Sequence, residues 1–226
     1  VQGIPAERLT GKAALKGGAL EYALEGKTLG GSFEINGRYP GQAQKDKEPV
    51  GKRDRGFFRL SGVDLSRLSA GLGFDALRPL RGRLDLNFDF DNDLSTGSGR
   101  VTISRLEWGN TLISRELVGV LVLRDGVLQL TEVTGGVAGG ALRARGLVRL
   151  EQTQRNFFTV AITGADARKL LAPLGADAAD LLDGPVSIVV NARFGSEVRG
   201  QGTISLPRGS VSGVPVTDLR VPFTFH

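Results

Sequence analysis

The sequence predicts a mainly β protein: one elongated sheet built from two tandem copies of a unit of roughly a hundred residues, each copy carrying a short broken helix. Three observations lead there. Apolar and polar residues alternate strictly through Leu84-Asp85-Leu86-Asn87-Phe88-Asp89-Phe90, and with one lapse at Val189 through 186–194, the period of a half-buried strand. The 33 glycines are about double the usual share and follow no Gly-X-Y period, so they are expected at turns, bulges and bends. The third observation is an internal repeat.

Phe57-Phe58 followed by Gly62-Val63-Asp64 is answered by Phe157-Phe158 followed by Gly164-Ala165-Asp166. Behind each Asp the apolar rhythm matches: Leu68, Leu72, Gly73, Leu80 and Gly82 pair with Leu170, Leu174, Gly175, Leu182 and Gly184, all 102 residues apart. The segment Gly-Arg-Val-Thr-Ile-Ser at 99–104 returns as Gly-Gln-Gly-Thr-Ile-Ser at 200–205, and Glu116-Leu117-Val118 as Asp218-Leu219-Arg220. Upstream, Gly30-Gly31 with Gly37 behind them match Gly139-Gly140 with Gly146. Copy one is therefore placed at 1–116, with an unmatched insertion at 41–55, and copy two at 117–226. Because both copies carry their apolar residues in the same parity, they are expected to share one continuous sheet.

Taken in order, strands are expected at 19–25, 31–39, 56–61, 84–90, 99–105, 117–123, 126–133, 140–150, 157–163, 186–194, 200–206 and 217–225, with glycine pairs and Asp125-Gly126 as turns. Helix is expected only at 64–80 and 166–182. Each opens on an N-capping Asp and is broken midway, by Gly71 and Gly73 or by Pro173 and Gly175, into two short turns.

Composition narrows function by exclusion. There is no cysteine, and the one histidine, His226, is the last residue; it reads as the start of a purification tag on an excised fragment. Without it no Ser-His-Asp or Cys-His arrangement and no histidine- or thiolate-bound metal site can be built. Asp85, Asp89, Asp91 and Asp93 fit a solvated strand face and turn, and Asp91-Asn92-Asp93 lacks the later glycine and glutamate of a calcium loop. Gly97-Ser98-Gly99 and the Gly135–Gly140 region run into strands, not helix N-termini, so they read as tight turns and not as phosphate cradles. No catalytic residue, metal site or cofactor is expected, and the protein is read as not an enzyme.

A net charge of +5 raises nucleic acid or an anionic membrane surface as partners. The bases are spread, however. The run Lys45–Arg55 alternates acid with base as a solvated loop, and Arg143, Arg145 and Arg149 fit a wet outer strand face. Aromatic residues are few and fall mostly on the apolar side of the alternation, so nucleic acid is not an expected partner. No apolar stretch reaches the roughly 18 residues of a membrane-spanning helix.

The Gly-Gly-x-apolar-x-x-x-Gly hairpin, the Gly-x-Asp opening of a short broken helix ending Leu-x-Gly, and the alternating strand behind it together resemble the AsmA-like family, which includes the TamB-type proteins of the double-membraned bacterial envelope. The resemblance covers most of 9–226, leaving out 41–55. It implies an elongated, curved antiparallel sheet shaped as a trough or open barrel, in the periplasm, belonging to a parent anchored in the inner membrane. It also implies a role in moving phospholipid between membranes or in outer-membrane assembly. On that basis phospholipid or another acyl-chain ligand is the expected partner, with membrane contact through parts of the parent outside this chain. The lining residues would be Leu84, Leu86, Phe88, Phe90, Val186, Ile188, Val190, Ala192 and Phe194. The same alternation equally fits the core of a closed sandwich or barrel, and with it a structural or protein-binding β-repeat domain of scaffold or adhesin type.

Overall fold

The computed structural model describes residues 6–40, 55–71, 79–91, 95–149, 156–194 and 198–226. Its strands are β1 (Ala6–Lys16), β2 (Ala19–Thr28), β3 (Gly31–Pro40), β4 (Arg55–Asp64), β5 (Leu80–Asp91), β6 (Thr96–Trp108), β7 (Thr111–Arg124), β8 (Val127–Val137), β9 (Gly140–Arg149), β10 (Asn156–Asp166), β11 (Leu182–Asp183), β12 (Pro185–Phe194), β13 (Val198–Val211) and β14 (Val214–Phe225). All fourteen join one antiparallel sheet in which each long strand pairs with the next in sequence, and the sheet does not close. β11 and β12 lie end to end along the same edge of β13, so the sheet is thirteen strands wide. At the usual strand spacing that is roughly 55–60 Å.

Tight hairpins set this order. Leu29-Gly30, Asp125-Gly126, Ala138-Gly139 and Ser212-Gly213 all hold positive φ at both central residues, the turn whose twist matches the strands it joins. At two of these turns the first residue also ties the hairpin to the next element: the Leu29 carbonyl receives the N–H of Asp64 at 3.0 Å and the Ala138 carbonyl that of Asp166 at 2.9 Å.

Both Asp residues then cap helices. Asp64 Oδ1 accepts the N–H and hydroxyl of Ser66 at 2.8 and 2.5 Å and opens α1 (Leu65–Gly71). Asp166 Oδ1 accepts the Lys169 N–H at 3.2 Å and opens α2 (Ala167–Leu171). Beyond α2 the chain breaks at Pro173 and Gly175 into a 3-10 turn, Ala172–Leu174, and α3 (Ala176–Ala179), as the sequence predicts. The corresponding break after α1 lies outside the described residues, as do most of the 41–55 insertion and Asp93.

The exposed area, 14637 Å², is well above the roughly 10,000 Å² typical of a folded monomer of this mass. An open layer contributes to this: no second sheet is present among the described residues. The two buried clusters, one around Leu117, Val133 and Val137 and the other around Ala165, Ala167 and Val186, lie where Leu170 packs against the sheet. Core is thus concentrated where helical segments cover an end of the strands.

Several expectations need correcting. β1 had no counterpart in the sequence reading, whose first strand began at 19. β6, β7, β13 and β14 run further than expected and meet at Gly109-Asn110 and Ser212-Gly213. Gly97-Ser98-Gly99 is no turn: it lies inside β6. Within the Gly135–Gly140 region only Ala138-Gly139 turns, Gly135 and Gly136 belonging to β8. The two Phe-Phe pairs also stand at different places in their strands. Counted from the irregularity that follows Leu60 in β4 and Ile162 in β10, Phe58 opposite Phe88 corresponds to Val160 opposite Val190, while Phe158 corresponds to Gly56.

Candidate functional site: one apolar sheet face

Directly paired residues in an antiparallel sheet point to the same side, so register alone traces the faces. One row runs Leu24, Ile35, Phe58, Phe88, Gly99, Leu121, Leu130, Gly146, Phe158, Ala192, Gly200, Phe225. A second runs Gly26, Phe33, Leu60, Leu86, Val101, Gly119, Val133, Ala144, Val160, Val190, Gly202, Phe223. A third joins Val63 and Leu84 through Ile103, Leu117, Gly135, Leu142 and Ile162 to Ile188, Ile204 and Val221. These rows hold apolar residues and glycine only.

The structure therefore brings the expected lining residues onto one face and into shared rows: Phe88 with Ala192, Leu86 with Val190, Leu84 with Ile188. Phe90 is buried at 4% exposure and Val186 at 2%, and Ala192 is also buried; Leu84, Leu86, Phe88, Ile188 and Val190 are half-buried, as expected of a face without a cover. Phe194 takes the register position opposite Asn156 and Val198, and its side chain lies outside the described residues.

Parity survives two breaks in alternation because the strands bulge there. Between Leu60 and Val63, and again between Ile162 and Ala165, a residue is added around Gly62 or Gly164, both at φ +65°, and the apolar series resumes on the same side. Each freed N–H finds a side chain: Gly62 donates to Asp85 Oδ1 at 2.8 Å, and Gly164 to Ser187 Oγ at 3.2 Å. Asp85 thus braces the bulge; it is not simply a solvated carboxylate. Asp91, for its part, accepts the Thr96 hydroxyl at 2.5 Å across the β5–β6 connection.

Sequence reasoning missed what the strand glycines do on this face. Phe88-x-Phe90 lies opposite Gly97-x-Gly99, and Phe223-x-Phe225 opposite Gly200-x-Gly202. A Cβ at Gly97 or Gly99 would come within 2.7 Å of the Phe88 ring, one at Gly56 within 2.5 Å of Phe90, and one at Gly26 within 2.8 Å of Phe33. Tyr22 over Gly37, Phe158 over Gly146 and Phe223 over Gly202 repeat the arrangement. The rings therefore lie down over bare backbone. Phe88 and Phe90 stack at 6.5 Å and 25°, Phe223 and Phe225 at 6.4 Å and 27°. The sequence carries Phe-x-Phe and Gly-x-Gly in adjacent segments, 88–90 with 97–99 and 223–225 with 200–202, but that they face each other follows only from the register of the strands.

The opposite face is mainly polar, with Val120, Phe157 and Val189 as exposed apolar exceptions. Arg59 pairs with Glu34 at 3.7 Å and lies over the Phe57 ring at 4.4 Å; Asn87, Arg100, Arg143, Arg145 and Gln201 are exposed on the same side. No group of three or more acidic or histidine side chains is placed to hold a metal among the described residues, and no described helix is long and apolar enough to cross a membrane. The fold and site together define a class: an open, single-layer, up-and-down antiparallel sheet with one apolar and one polar face. Comparison of the chain with protein-family models, curated proteins and solved structures found no match in any of the three.

Proposed function

We propose that the chain is a non-enzymatic, lipid-binding or lipid-conducting module of an AsmA-like, TamB-type envelope protein, its apolar sheet face carrying acyl chains. The observation behind this reading is the trio of rows of apolar residues and glycine that crosses nearly the whole sheet, with no second sheet over it among the described residues. Apolar surface on this scale needs a cover, and extended methylene chains lying across the strands would supply one. Glycines under flattened rings leave the surface shallow and low in polar atoms, which suits a ligand without fixed shape. In this reading the module works in the periplasm, its parent is held in the inner membrane, and it carries phospholipid between membranes or supports outer-membrane assembly.

Native mass spectrometry of the purified chain is the direct check. Phospholipid adducts are expected, and Phe88→Asp with Val190→Asp should remove most of them while the circular dichroism of the sheet is kept. A lipid-free protein that also ignores added phospholipid would count against the reading and favour a protein-binding β scaffold.

A further inference from the structure

The two repeat copies share their apolar parity but not their charge. In copy one, β3, β4, β5 and β6 carry seven basic and six acidic residues. Their counterparts β9, β10, β12 and β13 carry six basic residues and one acid, Asp166, which caps α2.

The loss of acid can be followed position by position. Just as Phe58 opposite Phe88 corresponds to Val160 opposite Val190, Ile35 opposite Phe58 corresponds to Ala144 opposite Val160. That match sets Arg143 where copy one has Glu34, and Ala161 where it has Arg59. Glu34 and Arg59 form an ion pair across the strands at 3.7 Å, whereas Arg143 stands in register between Thr134 and Ala161. Along β5 and β12, Asp85, Asp89 and Asp91 are answered by Ser187, Asn191 and Arg193. Ser187 keeps the hydrogen bond that Asp85 makes to the bulge, without its charge.

Arg143, Arg145 and Arg193 are all exposed on the polar side. Apolar side chains stand among them. Phe157, directly opposite Arg193, is 41% exposed, and Val189, in the row of Arg143, is 43% exposed. Their counterparts in copy one are Arg55 and Asn87. Copy two has thus exchanged acids for bases, and polar residues for apolar ones, on the same side of the sheet.

We propose that the polar side of copy two docks on the surface of an anionic phospholipid bilayer. Arg143 and Arg193 lie two strands and four residues apart, roughly 16 Å, a spread that suits a plane of many phosphates better than one small anion. Each guanidinium is drawn to such a plane within about a Debye length, and Phe157 and Val189 add apolar area that enters between headgroups. Nucleic acid would use the same charge, but on this side of these strands it would find Phe157 and no platform of rings to stack on. The apolar rows face away from the bilayer, so docking does not depend on acyl chains being carried there.

Flotation with vesicles of equimolar phosphatidylglycerol and phosphatidylcholine should show binding at least about tenfold tighter than with phosphatidylcholine alone, a difference that added salt shrinks. Arg143→Glu, which restores the charge carried by Glu34, should weaken binding to the anionic vesicles at least about tenfold, and Phe157→Ser at least about threefold. Arg100→Glu, on the polar side of copy one, should leave it within about twofold. Phospholipid adducts in native mass spectra should be unchanged in Arg143→Glu, and the Phe88→Asp, Val190→Asp variant should still float with anionic vesicles, so the two lipid contacts fail separately. Binding that ignores phosphatidylglycerol overturns the proposal. So does an equal loss with Arg100→Glu, which would mean diffuse charge, or tighter binding to a single-stranded oligonucleotide than to the vesicles, which would mean nucleic acid.

Discussion

Gly146 and Gly136 stand in neighbouring strands and differ in what lies above them. A Cβ on Gly146 would run into the Phe158 ring, whereas one on Gly136 has nothing nearer than 3.9 Å. If rings lying over glycine hold this face together, Gly146→Ala should destabilise the protein by about 1–3 kcal/mol, the usual penalty of overpacking. Gly136→Ala should be neutral or slightly stabilising. Urea denaturation of the two variants gives the comparison directly, and equal effects would contradict this role for the glycines. Asp64 supports a second prediction at this scale. Burial acts to raise its carboxyl, but hydrogen bonds from Ser66 and Arg67 and the Arg67 charge outweigh it and hold the group below the ordinary carboxylate range. A carboxylate with a depressed native pKa contributes stability that is full above its unfolded value and is lost as pH falls through the native one. Asp64→Ala should therefore cost about 1 kcal/mol at neutral pH, and the gap from wild type should narrow below about pH 4.

At the scale of elements, legibility followed the strength of local periodicity. The strand at 84–90 and its partner at 186–194 could be read because a half-buried strand has to alternate. β1 could not be read, since at an exposed edge neither side need be apolar, and all eleven of its residues are exposed. β8 shows the intermediate case. Its apolar series Leu128, Leu130, Val133 breaks step because the strand bulges between Leu130 and Val133 to keep the series on one side. The capping Asp residues located both helices, and Pro173 and Gly175 located the break in the second. What remained hidden was pairwise: that Gly97 and Gly99 seat Phe88 depends on the register between β5 and β6, which alternation within either strand does not encode.

For the whole molecule, the account rests on a sheet with two chemically different sides, the apolar one without a second layer among the described residues. Three apolar rows spanning nearly every strand fit the concentration of buried residues near the helical segments. The sharpest test uses neighbouring residues on opposite sides. Val101 sits in the middle apolar row between Leu86 and Gly119, and Arg100 beside it faces the polar side, opposite Asn87 and Val120. With a photo-crosslinking phenylalanine analogue placed at one or the other position and the protein irradiated in phospholipid vesicles, lipid adducts are predicted at position 101 and not at position 100. Equal labelling at both positions, or none at 101, would contradict an apolar face that carries acyl chains.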